Sequence, residues 1–151
     1  MRVHINIGSN QGDRLALVGQ AVALIAEAWP EAAMCESAPV ESAPWGYESD
    51  AAFINLGIML ELPGRPDPHE ILHTLQAIER RIAPGASHRN PDGSYRDRPI
   101  DIDLIDAGGL RVCDAELTLP HPRAHLRPFV IGPLRELDPA TADAIIRRAA
   151  R

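Results

Sequence analysis

Residues 3–10 read VHINIGSN, and this stretch begins the pattern that decides the fold. Val3, Ile5 and Ile7 alternate with polar residues, which is the period of two that a half-buried β-strand shows. The alternation stops at Gly8, which together with the next two residues predicts a turn. A strand therefore opens the chain, and its two faces differ in polarity.

Two amphipathic helices and three further strands follow this first strand. Asp13 predicts a helix N-cap, and apolar residues then recur at three- and four-residue spacing up to Ala28. Asp67 and Pro68 predict the start of a second helix, whose apolar stripe continues to Ile82. The predicted strands cover residues 32–40, 53–60 and 100–104.

The order of these elements is strand, helix, strand, strand, helix, strand. It predicts an α+β domain of the ferredoxin-like βαββαβ type, with an antiparallel sheet and both helices on one face. A short C-terminal hairpin over residues 110–119 and a helix over 140–149, begun by Asp138 and Pro139, complete the predicted fold. The opposite face of the sheet is then left for a ligand.

The composition excludes several classes of function for this chain. A length of 151 residues predicts one domain, residues 1–151. There are 21 acidic and 15 basic residues, and a net charge of -6 disfavours nucleic acid and anionic membranes as partners. Every basic residue is arginine, which excludes a Walker A loop and a catalytic lysine. With two separated cysteines, no signal peptide and no run of about 18 apolar residues, we expect a cytoplasmic protein.

Asp101 and Asp103 alternate with isoleucine and leucine in the last predicted strand. Residues two apart on a strand point to one face, about 6.6 Å apart, so the two carboxylates lie side by side. Such oxygen ligands suit Mg²⁺, which completes its coordination with water and phosphate oxygens. The pattern predicts a magnesium site that binds together with a nucleotide. The alternative is an edge strand whose solvated face resists aggregation.

Residues 83–97 form a polar connection of fifteen residues, which is long for a compact domain. This loop carries Arg89 and Arg96 and leads into Arg98. Guanidinium groups match phosphate oxygens, so arginines beside a pair of aspartates favour phosphoryl transfer. For Arg89 and Arg96 the alternative is a solvated surface loop that binds nothing.

Two further groups of residues predict ligand contacts. His121 lies between Pro120 and Pro122, in a loop where it can contact a phosphate or hydroxyl group, and a plain surface turn is its alternative. Phe53 and Asn55 lie two apart on a strand, where a ring can stack on a flat heterocycle and an amide can bind its edge. Core packing is the alternative for Phe53.

Seven motifs occur in one order along the chain: GSNQGDR at 8–14, ESAPWG at 41–46, FIN at 53–55, QAIE at 76–79, RPIDIDL at 98–104, LTLPHPR at 117–123 and RPF at 127–129. With them the chain resembles the 6-hydroxymethyl-7,8-dihydropterin pyrophosphokinases of folate biosynthesis. The resemblance implies a ferredoxin-like fold and transfer of pyrophosphate from ATP to the pterin hydroxymethyl group, which releases AMP. It also implies two Mg²⁺ ions on Asp101 and Asp103 and no obligate protein partner.

The same resemblance implies a role for each candidate residue. The catalytic residues are Arg98, Arg89, Asp101 and Asp103, with His88 and Arg96 as alternatives to Arg89. The ATP-binding residues are Gln76, Glu79, Arg98, Thr118, His121 and Arg127. The pterin-binding residues are Ser42, Ala43, Trp45, Phe53, Asn55 and Phe129. Whether a carboxylate of the aspartate pair also accepts the hydroxyl proton stays open.

Two other functions fit the same architecture. A two-metal nucleotidyltransferase or cyclase also uses paired strand aspartates, and it would need a third acidic ligand on a neighbouring strand, where the sequence offers only Glu61. A non-catalytic metabolite-binding module would use Phe53 and Asn55 but gives Asp101 and Asp103 no task. The products distinguish the three functions, because they are AMP, pyrophosphate or none.

Overall fold

The computed structural model describes residues 1–43, 51–85, 91–92 and 99–151. The strands are β1 (Arg2–Ser9), β2 (Ala33–Glu36), β3 (Val40–Ser42), β4 (Phe53–Glu61), β5 (Asp101–Ala107), β6 (Val112–Cys113) and β7 (Thr118–Leu119). The helices are α1 (Arg14–Ala28), α2 (Pro68–Ile82), α3 (Pro128–Leu137) and α4 (Pro139–Ala149), with a 3₁₀ turn at Ala124–Leu126.

One antiparallel sheet has the strand order β2, β4, β1, β5, and β3 also pairs with β4. A βαββαβ chain adopts this order when each helix crosses back over the sheet, so the ferredoxin-like prediction is confirmed. The single strand predicted over residues 32–40 is two short strands, β2 and β3. The predicted C-terminal hairpin is formed by β6 and β7 as a separate pair.

The main core lies between one face of the sheet and the helices α1 and α2. Val3, Ile5 and Ile7 of β1 are at most 2% exposed on this face. Ile25 of α1 and Leu75 of α2 are fully buried in the same cluster. Each such side chain contributes about 1.5–3 kcal/mol by leaving water, so this layer holds the helices on the sheet. The apolar stripe predicted for α2 is its buried side. The stripe predicted for α1 is buried in its middle, whereas Leu15 and Ala28 at its two ends are exposed.

Aspartate side chains begin both of these helices, as the sequence predicted. Asp13 accepts a hydrogen bond from the backbone N–H of Ala16 at 3.2 Å, and Asp67 accepts one from His69 at 2.9 Å. The first N–H groups of a helix have no partner within it, so each cap satisfies one of them. Within the described ranges, no helix is long and apolar enough to cross a membrane.

Two C-terminal helices cover part of the opposite face, where the sequence predicted only one. α3 precedes α4, and their apolar side chains pack against Ile105 of β5. Pro133 lies inside α3, and because an interior proline removes a helical hydrogen bond, the sequence pattern does not predict that helix. Gly8 and Asp101 are opposite each other toward one end of this face, and neither belongs to the apolar cluster that α3 and α4 form.

A β-bulge at Ile105 changes the face on which the following side chain of β5 lies. Leu104 is opposite Ile5 of β1, whereas Asp106 is opposite His4, so Ile105 is the extra residue between the two pairs. Asp106 therefore shares a face with His4 instead of entering the main core. Burial there raises the pKa of the Asp106 carboxyl group.

A buried pair joins β1 to the junction of α3 and α4. His4 Nε2 lies 2.9 Å from Asp138 Oδ2, and the two side chains are 2% and 5% exposed. Asp138 also accepts hydrogen bonds from Thr141 Oγ1 at 2.7 Å and Arg2 Nη1 at 3.2 Å. Burial raises the pKa of Asp138, but the hydrogen bonds from Thr141, His4 and Arg2 outweigh it and lower the pKa to about 2. Burial lowers the pKa of His4, so a neutral imidazole faces a charged carboxylate.

We expect Asp138→Asn to lower the free energy of unfolding by about 2 kcal/mol at pH 7, because the folded state prefers the charged carboxylate. A carboxyl group with a lowered pKa stabilises the fold above its unfolded pKa, and this contribution is lost as the pH falls toward 2. In urea unfolding, the difference between the wild-type protein and the variant should shrink to about half at pH 3. A difference that stays constant from pH 7 to pH 3 would contradict this origin.

Candidate active site

Asp101 and Asp103 lie half-buried on one face of β5, while Ile102 and Leu104 are buried on the other. Among the residues that the structure describes, no three His, Cys, Asp or Glu side chains are grouped to hold a metal ion. Proteins nevertheless usually bind Mg²⁺ through only one or two carboxylates, because phosphate and water oxygens complete its coordination. The pair therefore fits an ion that binds together with its substrate.

The pairing of β1 decides which residues lie beside the carboxylates. Gly8 of β1 is opposite Asp101 on β5 and opposite Asn55 on β4. Neighbouring strands lie about 4.8 Å apart, so Asn55 and Asp101 are about 10 Å apart across Gly8. The aspartate predicted to bind metal and the amide predicted to bind a heterocycle thus share one row of the sheet.

Gly8 is a strand residue, and the prediction that it belongs to a turn was wrong. β1 continues to Ser9, and Gly8 is paired on both sides. A Cβ at position 8 would lie 3.1 Å from Asn55 Oδ1 and 3.4 Å from a ring carbon of Phe53. The missing side chain therefore lets both residues lie over the strand. An isolated glycine at the end of an apolar strand was the only sequence signal for this role.

The amide of Asn55 is oriented by β3. Its Nδ2 donates to Ser42 Oγ at 2.7 Å and to the Val40 carbonyl at 3.3 Å. With its N–H groups directed to β3, Asn55 turns Oδ1 toward Gly8, where it can accept from an N–H group of a ligand. Ser42 is half-buried and Ala43 is exposed at the end of the same strand.

Arg127 brings positive charge to the carboxylate pair. Its side chain is 12% exposed, and Nη1 lies 3.9 Å from Asp103 Oδ2. The guanidinium carbon is 5.9 Å from the centroid of the Phe129 ring, which is within the range of a cation–π interaction. The structure thus places the residue predicted for ATP and the aromatic residue predicted for the pterin side by side, next to Asp103.

His121 is positioned by the bulge of β5. Its backbone N–H donates to the Ile105 carbonyl at 2.8 Å, and its Nδ1 accepts from the backbone N–H of Arg123 at 3.2 Å. Burial and the charge of Arg127 lower the pKa of His121 to about 4, against the opposite effect of Asp101. The imidazole is therefore neutral at pH 7 with its proton on Nε2, where it can donate to a phosphate oxygen.

The remaining predicted ATP-binding residues lie on α2 and on β7. Gln76 is exposed and Glu79 is half-buried on α2, the helix whose Leu75 belongs to the main core. Thr118 is half-buried on β7, opposite Cys113. The role of these residues in ATP binding stays a prediction.

Several predicted residues lie outside the part of the chain that the structure describes. They are Trp45 of the pterin-binding set, Arg98 and Arg89 of the catalytic set, and the alternatives His88 and Arg96. Their roles stay predictions.

A family model described as 7,8-dihydro-6-hydroxymethylpterin-pyrophosphokinase matches residues 4–139. The chain belongs to this family. A 2-amino-4-hydroxy-6-hydroxymethyldihydropteridine pyrophosphokinase of Porphyromonas gingivalis is 38% identical over 138 residues, which are 91% of this chain and 90% of that protein. Pyrophosphokinases of the same name from Bacillus subtilis and Mycobacterium leprae are 32% and 33% identical and cover 89% and 99% of this chain. The alignments include 76% and 78% of those two proteins.

Membership of the pyrophosphokinase family decides among the three functions that the sequence left open. The matched range includes every candidate residue of the site. Among solved structures, a de novo designed protein with a ferredoxin fold aligns with 80% of this chain and 98% of that chain, at 13% identity and a TM-score of 0.34. That likeness is too distant to support an argument, so the fold assignment depends on the strand order.

We expect Gly8→Ala to raise the KM for the pterin about tenfold, which is the worth of one hydrogen bond, and to change the KM for ATP by less than about threefold. The reason is that a Cβ at position 8 would displace Asn55 Oδ1. Steady-state kinetics with each substrate in turn measures both constants. Gly19→Ala is the control, because nothing lies within 4 Å of a Cβ at that position. An unchanged pterin KM in Gly8→Ala would disprove the role of this glycine.

Proposed function

We propose that the chain transfers the pyrophosphoryl group of ATP to the hydroxymethyl group of 6-hydroxymethyl-7,8-dihydropterin and releases AMP, the reaction of its family in folate biosynthesis. The observation that carries the proposal is the row formed by Asn55, Gly8 and Asp101, in a chain that the family model matches over residues 4–139. This row supports a flat ring on the β4 side of the site and phosphate groups on the β5 side.

Asp101 and Asp103 would hold Mg²⁺ together with the triphosphate, and we propose two ions. When bound, such ions draw charge from the phosphate oxygens and acidify the attacking hydroxyl group. The strand keeps the two carboxylates on one face at a constant spacing. No protein nucleophile is part of the proposal, because the pterin hydroxyl oxygen attacks the β-phosphorus directly.

Arg127 and His121 form the phosphate side of the site in this proposal. The guanidinium group beside Asp103 offers N–H donors to phosphate oxygens, and neutral His121 adds the donor at Nε2. Phosphoryl transfer depends on positioning and on neutralisation of charge, so donors held by a bulge and a helix start suit it. We assign Gln76, Glu79 and Thr118 to the rest of ATP. We propose that Arg98 and Arg89 neutralise the negative charge that develops on the transferred group.

The pterin binds on the β4 side in this proposal. Asn55 Oδ1 accepts hydrogen bonds from the N–H groups at the edge of the ring, because its Nδ2 is directed to β3. Phe53 and Phe129 contact the faces of the ring, as flat aromatic groups do with a heterocycle. Ser42 contacts Asn55 at the end of β3. We assign Ser42, Ala43 and Trp45 to further contacts with the pterin.

We propose that the reaction takes place in the cytoplasm and involves small molecules alone. The net charge of -6 gives the protein no general attraction to nucleic acid or to an anionic membrane. ATP would therefore be held by the few arginines and bound cations of the site. The proposal includes no obligate protein partner.

The products identify the reaction. The purified chain, incubated with ATP, Mg²⁺ and hydroxymethyl-dihydropterin, should release AMP in equal amount to the pyrophosphorylated pterin. Omission of the pterin should stop the release of AMP. Release of pyrophosphate would point to a cyclase or nucleotidyltransferase and no turnover to a binding module, and either result would refute the proposal.

We expect Asp101→Asn and Asp103→Asn each to reduce kcat by about 10²- to 10³-fold, because an amide is a poor ligand for a cation that neutralises phosphate charge. The fold should persist, since both side chains are only half-buried. AMP release against Mg²⁺ concentration measures the effect on activity. Calorimetric titration of Mg²⁺ in the presence of a non-hydrolysable ATP analogue measures the binding separately.

Asp143→Asn is the matched control for these two variants. Its carboxylate accepts a hydrogen bond from Arg135 Nη1 at 2.7 Å on the outer side of the C-terminal helices. It should retain the kcat and the Mg²⁺ dependence of the wild-type protein. Wild-type Mg²⁺ binding in Asp101→Asn or Asp103→Asn would remove that residue from the metal site.

A further inference from the structure

Helix α3 contains a proline at position 133, four residues after Phe129. In an α-helix the N–H of residue 133 would donate to the carbonyl of residue 129, and a proline has no N–H. The Phe129 carbonyl is therefore without its helical donor. A side chain from the sheet replaces that donor.

The replacement donor is Asn6 of β1. Its Nδ2 lies 3.1 Å from the Phe129 carbonyl oxygen, and the residue is only 6% exposed between the sheet and the helix. Asn6 is also opposite Asp103 on one neighbouring strand and Gly57 on the other. The buried Asn6 amide thus links the position opposite Asp103 in the sheet to the first turn of α3.

Gly57 allows the helix to come this close to the sheet. A Cβ at position 57 would lie 2.8 Å from Pro133 Cβ, so a larger residue would push α3 away. Pro133 and Gly57 are therefore in direct contact beside Asn6. Pro133 lacks the N–H that would donate to the Phe129 carbonyl. Gly57 lets α3 approach the sheet closely enough for Asn6 to donate to that carbonyl instead.

The two ends of α3 are held by different side chains of β1. Asn6 binds the first turn through the Phe129 carbonyl, and His4 binds Asp138 after the last turn. Loss of the Asn6 amide would therefore release the first turn, with the ring of Phe129, while the other end stays attached. Arg127 has its own contact with Asp103, so its position depends less on Asn6.

We propose that Asn6 is a positioning residue for the pterin and acts through the Phe129 carbonyl rather than by contact with the substrate. The inference rests on the proposed function, since it requires that Phe129 contacts the pterin ring. The Phe129 ring belongs to α3, and the hydrogen bond from Asn6 of β1 fixes its position at the site.

The test removes the amide donor of Asn6 from β1 and then restores a backbone N–H donor at position 133 of α3. Asn6→Leu keeps a similar volume without an N–H, and Pro133→Ala supplies the missing N–H while it retains the Cβ that contacts Gly57. We expect Asn6→Leu to raise the pterin KM about tenfold and to leave the ATP KM within about threefold of its wild-type value. The double variant should recover most of the pterin affinity.

His4→Gln is the matched control, because it changes a buried side chain of the same strand that binds the other end of the same helix. We expect it to leave the pterin KM unchanged. If Asn6→Leu does not fold, Asn6→Ala makes the same comparison. Urea unfolding of the single and double variants measures the coupling between positions 6 and 133 without any substrate.

Two results would overturn the inference. One is a wild-type pterin KM in a folded Asn6 variant. The other is a loss that Pro133→Ala does not restore, because Asn6 would then act by its volume or by direct contact with the substrate. Wild-type protein that releases no AMP is a separate result, which overturns the proposed function and the positioning role with it.

Discussion

The hydrogen-bonded pairing of β1 with β4 on one side and β5 on the other is the constraint on which the site depends. Because β1 lies between them, its register decides which side chains of its neighbours share a row on each face. A slip of β1 by one residue would turn His4 and Asn6 into the main core and Ile5 and Ile7 out of it. Ile5 and Ile7 prevent this slip, since only one face of the strand packs against α1 and α2.

Three residues of β1 that face away from the main core have three different tasks. His4 binds Asp138 and attaches the junction of the C-terminal helices, whereas Asn6 binds the Phe129 carbonyl and attaches the first turn of α3. Gly8 has no side chain and so makes room for the residues of the proposed pterin site. Along its length, β1 therefore changes from attaching the C-terminal helices to lining the proposed pterin site.

Charge at the site is balanced by local contacts rather than by the protein as a whole. The net charge is -6, yet Arg127 lies 3.9 Å from Asp103 at the place where phosphate groups are proposed to bind. His121 stays neutral beside that arginine because burial and the nearby positive charge lower its pKa to about 4. It can therefore act as a hydrogen-bond donor without adding a charge.

Patterns within a few residues of the chain were enough to predict the βαββαβ order, the starts of α1 and α2, and the shared face of Asp101 and Asp103. Such features depend on the period of two in a strand and of 3.6 in a helix, which the chain carries locally. Long-range contacts were needed for the strand role of Gly8, for helix α3 and for the hydrogen bond between Asn6 and Phe129. Those two residues are 123 positions apart, and no local pattern reports whether a carbonyl that lacks its helical donor will meet an amide from a distant strand.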